Sequence, residues 1–183
     1  MKHILRNRLA LSTVITTLII LVVSILLASV LTYFAINVVS TRVQEESLYV
    51  CKQHIWVNAA GTAEAALMVT NNGGRDVVIS KVSVRGQQSL WADVFYANAV
   101  QADDLTTDLS YVTTPVAAGN NLGLADTAHQ ATRNLILPSG STMVIYVNSP
   151  DSIGLNDIGL TVSISLHSAQ AVYYCETNIQ ATA

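Results

Sequence analysis

The chain has 183 residues, of which 51% are hydrophobic and 11% charged, with a formal net charge of −3 and a mean hydropathy of +0.43. The charge is unevenly placed: Lys2, Arg6 and Arg8 precede a long apolar run, whereas from Ser47 onward five basic residues stand against ten acidic ones. An acidic domain without basic clusters argues against nucleic acid as a partner, and the roughly 140 residues after position 46 suffice for one domain with its own core.

Met1 to Ala10 form a short basic leader, expected as a domain-like segment of its own. Leu9 to Ser40 then run thirty-two residues without Lys, Arg, Asp, Glu, Gly or Pro. Nothing there breaks a helix, and an apolar run longer than about 18 residues reads as membrane-spanning. As a helix it would extend roughly 48 Å, against a hydrocarbon layer of about 30 Å. Tilt absorbs part of the excess, and the rest calls for a second place of burial. Basic residues before the run place the N-terminus in the cytoplasm and the acidic domain outside. The apolar core is too long for an ordinary cleaved secretory signal, and the nearest A-x-A pattern, Ala63-Glu64-Ala65, is far downstream. An uncleaved signal anchor is therefore one reading of this segment.

The helix is expected to continue through Thr41, Arg42, Val43, Gln44, Glu45 and Glu46, giving a helical unit over 11–46. Ser24, Ala28 and Thr32 fall at i, i+4 and i+8 on one face, and Thr13 and Thr17 form a similar pair. Small residues at this spacing let helix backbones approach closely in an apolar medium. A chance distribution of common small residues is the alternative.

From Ser47 the period changes to two, and residues 47–183 read as a β domain. Tyr49 to Val57 is a first strand. Ala65–Thr70 and Val77–Arg85 flank Asn71-Asn72-Gly73-Gly74, whose residues tolerate positive φ, and this reads as a β-hairpin. Trp91–Asn98 is a fourth strand. The irregular stretch 99–132 follows, long enough to be functional, mobile, or to hold a short element of its own. Strands resume at Asn134–Leu137 and, past Pro138-Ser139-Gly140, at Met143–Val147. Leu160, Val162, Ile164 and Leu166 alternate with Thr161, Ser163, Ser165 and His167, the pattern of a strand half exposed to water. Ala171–Ile179 closes the set. Eight such candidates, after one long helix, give an α+β chain whose outer part is an immunoglobulin-like sandwich of seven or eight antiparallel strands.

Cys51 and Cys175 lie near the two ends of this domain, in strand-like sequence. In an oxidising compartment a disulfide between them would tie the first strand to the last and contribute about 4 to 5 kcal/mol in the chain-entropy model. Two unpaired buried thiols are the alternative. No CxxC, GxSxG, HExxH or phosphate-binding glycine loop is present, so neither a catalytic site, a metal site nor a cofactor is expected. His54, His129 and His167 are each isolated in sequence. Asp103, Asp104 and Asp108 form the densest acidic cluster, which reads better as a solvated loop than as an oxygen cage for Ca²⁺. No N-x-S/T acceptor occurs.

A basic leader, an uninterrupted apolar helix longer than a bilayer and an outer β-sandwich together resemble the archaeal type IV pilin and archaellin superfamily. Ala10-Leu11-Ser12-Thr13-Val14-Ile15 after Arg8 looks like a class III signal-peptide junction, cut before Leu11, although Leu9 stands where a basic residue is usual. Met68 to Gly74 followed by Val78 to Val82 looks like the strand, Asn-x-Gly turn and strand of those ectodomains, and Pro138-Ser139-Gly140-Ser141-Thr142 is similar to their second turn. The mature helix lacks the early Glu of bacterial pilins, so the archaeal branch is the nearer match. The resemblance implies a prepilin peptidase-like processing enzyme, a membrane-inserted precursor and a homo-oligomeric helical filament built on the helices. It implies adhesion or motility rather than catalysis. The alternative is a single-pass anchored binding module, or an archaellum accessory protein, displaying the 99–132 loop.

Overall fold

The computed structural model describes residues 2–101, 103–112 and 115–182, with the side chains of 2–10 and 42–44 left out of the description. It divides into two compact units, Met1–Val43 and Gln44–Ala183. The chain is α+β: one long helix followed by a β domain.

Helix α1 spans Lys2–Gln44 without interruption, as its lack of Gly and Pro requires. It stops two residues before the expected Glu46. The carbonyl of Ser47 accepts hydrogen bonds from the amides of Asn72 (2.8 Å) and Gly73 (3.1 Å), so the chain after Gln44 is engaged by a turn of the β domain.

The β domain contains ten strands among the described residues: β1 Leu48–Val57, β2 Ala63–Asn71, β3 Val77–Val84, β4 Gln87–Gln88, β5 Val94–Asn98, β6 His129–Gln130, β7 Leu135–Leu137, β8 Thr142–Asn148, β9 Thr161–Ser168 and β10 Val172–Ala181. All eight expected strands are present. Trp91–Asp93 forms a short 3-10 turn ahead of β5, and the additional strands are the dipeptides β4 and β6. Their order in one curled sheet is β4-β3-β9-β10-β1-β2-β8-β5-β6, with β7 also on β3. The sheet folds into two leaves, β1-β2-β8-β5-β6 and β4-β3-β9-β10 with β7. They are joined where β1 meets β10 in parallel, Ile55 opposite Ile179 and Val57 opposite Ala181. Every other strand pair is antiparallel.

Apolar residues alternate inward from both leaves. Ile55, Val57, Leu67, Val69, Ile145 and Val147 from one leaf meet Ile79, Val82, Val84, Ile164 and Leu166 from the other in a single inner cluster. In β9 the predicted alternation holds, with Val162, Ile164 and Leu166 buried between more exposed polar neighbours.

The expected hairpin between β2 and β3 does not form. Strand β2 pairs with β1 and β8, and β3 pairs with β4, β7 and β9. The Asn71-Asn72-Gly73-Gly74 segment instead carries the chain from one leaf to the other. Asn71 makes this possible from a fully buried position. Its Nδ2 donates to the carbonyls of Arg75 (2.8 Å) and Leu137 (3.0 Å), and its Oδ1 accepts from the Gly73 amide (2.9 Å). The Pro138-Ser139-Gly140 turn is bonded to the same place, through Gly140 N–H to the Asn71 carbonyl (2.9 Å) and Ser139 Oγ–H to the Gly73 carbonyl (2.6 Å).

The expected Cys51–Cys175 disulfide is likewise absent, and both residues are free thiols. Extending the parallel register back four residues from Ile55 and Ile179 would set the two cysteines side by side. A β-bulge between Cys51 and His54, with Lys52 at φ +52°, inserts one extra residue into β1. Cys51 is thereby turned to the outer face of its leaf, whereas Cys175 packs against the inner cluster.

Candidate functional site

Two features of the chain stand apart from the inner core: the apolar surface of α1 and a covered outer face of the β1-β2-β8-β5-β6 leaf.

Leu11–Thr41 is long and apolar enough to cross a membrane, alone in this among the described residues. Its apolar residues follow no single stripe, so every face is greasy, and large side chains from Leu11 to Val39 are 45–72% exposed. Hydroxyls along it are satisfied within the helix: Thr17 donates to the Val14 carbonyl (2.9 Å), Ser24 to Ile20 (2.7 Å) and Thr32 to Ala28 (2.8 Å). Such back-bonding lets polar side chains sit in an apolar medium without orphan donors. The expected packing face of Thr13, Thr17, Ser24, Ala28 and Thr32 is exposed. At the expected cleavage junction Ala10 and Leu11 are both helical in backbone, and the side chain of Ala10 lies outside the described residues.

The described residues of the 99–132 stretch are partly packed down onto the sheet. Val116, Leu122, Leu124 and Ala128 are buried with Trp56, Ala66, Met68, Phe95, Val144 and Tyr146, forming a second cluster on the outer face of the leaf. Polar side chains from the strands and from Asn58, just past β1, fasten the stretch down. Asn148 donates to the Val116 carbonyl (2.7 Å) and accepts from its amide (3.1 Å). Tyr146 Oη donates to the Ser110 carbonyl (2.8 Å), Asn58 Nδ2 to Tyr111 Oη (3.1 Å), and Lys52 Nζ to the carbonyls of Leu105 and Thr107. His54 stacks on Trp56 with ring centroids 5.1 Å apart and meets Asp108 at 3.0 Å. Glu64, 3% exposed, accepts the Val112 amide at 3.0 Å. Burial pushes its carboxyl up to about 7, with the Val112 bond acting the other way. Burial also raises the Tyr146 phenol, and the neighbouring Glu64 charge adds to the rise.

The acidic cluster is spent on amides and hydroxyls of its own stretch and on His54. Asp103 accepts from the Val100 and Ala125 amides, and Asp104 from Thr106 and Thr107. The Thr106 hydroxyl first, then the Thr106 amide, hold the Asp104 carboxyl at about 2. Burial works to raise Asp108, but its bonds to His54 and to the Leu109 amide outweigh this and lower it. No group of three metal-ligating side chains is found among the described residues. Burial raises both thiols, Cys175 to about 11, so neither is poised as a nucleophile.

Lys52, Glu64, Tyr146 and Asn148 escaped the sequence reading as functional residues. For Glu64 a signal existed: it is the one charge in the otherwise apolar run Ala63–Val69.

No protein-family model matches the chain, and no curated protein matches it. Among solved structures it is similar to a β-glucosidase from Listeria innocua in complex with glucose, at 10% identity and a TM-score of 0.26, over 74% of this chain and 16% of that one. The chain thus spans less than a fifth of that protein's length, and so low a TM-score carries no argument about fold or activity.

Proposed function

We propose that the protein is the structural subunit of an extracellular filament of the archaeal type IV pilus kind, polymerising through α1 for adhesion or motility, without catalysis. The observation that carries this reading is the length and all-round exposure of the apolar helix surface over Leu11–Thr41. A segment of that length extends roughly 46 Å, about half as far again as a hydrocarbon layer. A bilayer can cover most of it before assembly. Helices of further copies cover all of it afterwards, with the Ser24-Ala28-Thr32 stripe allowing close approach. Head-to-tail repetition of one such contact produces an open helical polymer.

The rival reading, an anchored module that displays the 99–132 stretch to a ligand, loses support because Val116, Leu122, Leu124 and Ala128 of that stretch are buried against the leaf. On the proposed reading the precursor sits in the membrane with its N-terminus inside, and a prepilin peptidase-like enzyme cuts between Ala10 and Leu11. Negative-stain microscopy of material sheared from the cell surface, labelled with antibody against the β domain, tests the proposal. Labelled fibres are expected. Label confined to detergent-extracted membrane, with unlabelled or absent fibres, would refute it.

A further inference from the structure

Glycine at position 73 is imposed by the joint between the leaves. A Cβ there would lie 2.7 Å from the Glu45 carbonyl oxygen and 2.9 Å from the Ser47 nitrogen, so the backbone of 45–47 passes this residue at a distance that only a hydrogen atom can fill. With Asn72 before it, the joint contains the one Asn–Gly step of the sequence. That dipeptide carries a chemistry of its own. Glycine has no side chain to hinder its backbone nitrogen, and the carboxamide of the preceding asparagine can swing onto that nitrogen.

The reaction needs a free carboxamide and a bare amide nitrogen. Asn72 supplies the first, since its side chain is exposed and joins no hydrogen bond among the described residues. The second is withheld. The Gly73 N–H donates both to Asn71 Oδ1 (2.9 Å) and to the Ser47 carbonyl (3.1 Å). Each acceptor is itself held. Asn71 is fully buried with its Nδ2 on the carbonyls of Arg75 and Leu137, and the Ser47 carbonyl also takes the Asn72 amide at 2.8 Å. On the other side the Gly73 carbonyl accepts from Ser139 Oγ–H (2.6 Å), so the glycine cannot turn its nitrogen away without breaking the joint. The preceding step, Asn71–Asn72, is closed in the same manner: the Asn71 carboxamide is engaged at both of its ends and the Asn72 amide is bound to Ser47.

We propose that Asn72 is a latent deamidation site, kept inert by the double hold on the Gly73 amide and released only when the turn lets go of Ser47. Once released, the Gly73 nitrogen attacks Asn72 Cγ. A nitrogen–carbon bond forms, the carboxamide C–N bond breaks, and the displaced amino group leaves as ammonia with the proton from Gly73. Water then opens the cyclic imide at one carbonyl or the other, leaving aspartate or isoaspartate at position 72. Either product adds a negative charge. Isoaspartate also lengthens the main chain by a carbon, so the two amides that meet on Ser47 lose their common geometry. The modification is thus a one-way record of opening at the joint. It concerns the β domain alone and does not depend on the filament reading.

Peptide mass spectrometry of the full chain in detergent micelles, incubated at mildly alkaline pH, reads the conversion of Asn72 to its acid. In the folded wild type it should run roughly 30-fold or more slower than in the same chain unfolded in guanidinium chloride, as two retained hydrogen bonds require. Asn71→Ala, at a temperature where near-ultraviolet circular dichroism shows it folded, should convert about 5-fold faster than the folded wild type, having lost one of the two acceptors. Asn72→Gln should not convert at this position even when unfolded. Equal rates in the folded and unfolded wild type, an Asn71→Ala rate no higher than the wild type's, or conversion in Asn72→Gln each overturns the proposal. Should Asn71→Ala fail to fold, hydrogen exchange of the Gly73 amide in the wild type decides: protection is expected, and exchange at the intrinsic rate refutes the hold.

Discussion

Asn71→Ala probes the joint that replaced the expected hairpin. The side chain is fully buried and makes three hydrogen bonds, two donated to the carbonyls of Arg75 and Leu137 and one accepted from the Gly73 amide. Each buried bond contributes about 1 kcal/mol net, and stranding its partner in a dry site raises the cost of losing it. Truncation should therefore destabilise the β domain by about 3 kcal/mol, which for a domain of this size lowers the melting temperature by roughly 10 °C. Asn71→Asp sharpens the test. It preserves shape and the acceptor but sets a carboxylate against two carbonyl oxygens, so it should cost at least as much as the alanine. Thermal unfolding of the full chain in detergent, followed by near-ultraviolet circular dichroism, reads both. If Asn71→Ala loses less than about 1 kcal/mol, or if Asn71→Asp is the milder change, the crossing between leaves is held by something else.

Other expectations follow from individual contacts. A Cβ on Gly73 would lie 2.7 Å from the Glu45 carbonyl oxygen and 2.9 Å from the Ser47 nitrogen, both backbone. Gly73→Ala should thus destabilise the domain by about 1–3 kcal/mol in the same melting assay, and an unchanged melting temperature would contradict it. Denaturing alkylation of protein purified without reductant should label both Cys51 and Cys175, and mass spectrometry of a chain resisting label would show a bond after all. Ala28→Phe should leave membrane insertion intact, as fractionation reads it, yet abolish fibres. Normal fibres from that variant would show that the small-residue stripe is no contact surface.

What could be read in the sequence was what repeats over several residues. The unbroken apolar run dictated α1, and the alternation from Leu160 to His167 dictated both β9 and the side it buries. Single-residue events escaped. Asn71-Asn72-Gly73-Gly74 has the same local chemistry whether the flanking strands pair or part, and the choice falls to the distant Leu137 carbonyl that Asn71 reaches. The bulge at Lys52 puts a residue other than glycine at positive φ, which no local pattern announces, and that one insertion separates Cys51 from Cys175. The second cluster was hidden for a related reason: Val116, Leu122, Leu124 and Ala128 are spaced by no period, since a covering loop contacts the sheet wherever its path allows. Glu64 was visible as a lone acid among alanines, but the Val112 amide that it accepts lies 48 residues away in sequence and left no local mark.

Cryo-electron microscopy of fibres sheared from the cell surface tests the account most directly. It predicts a bundle of α1 helices from successive copies, with the side chains of Leu11–Thr41 enclosed by neighbours and Ala28 at a helix contact. Fibres built without this chain, with the protein recovered from membranes as single copies whose helix is covered by lipid alone, would contradict it.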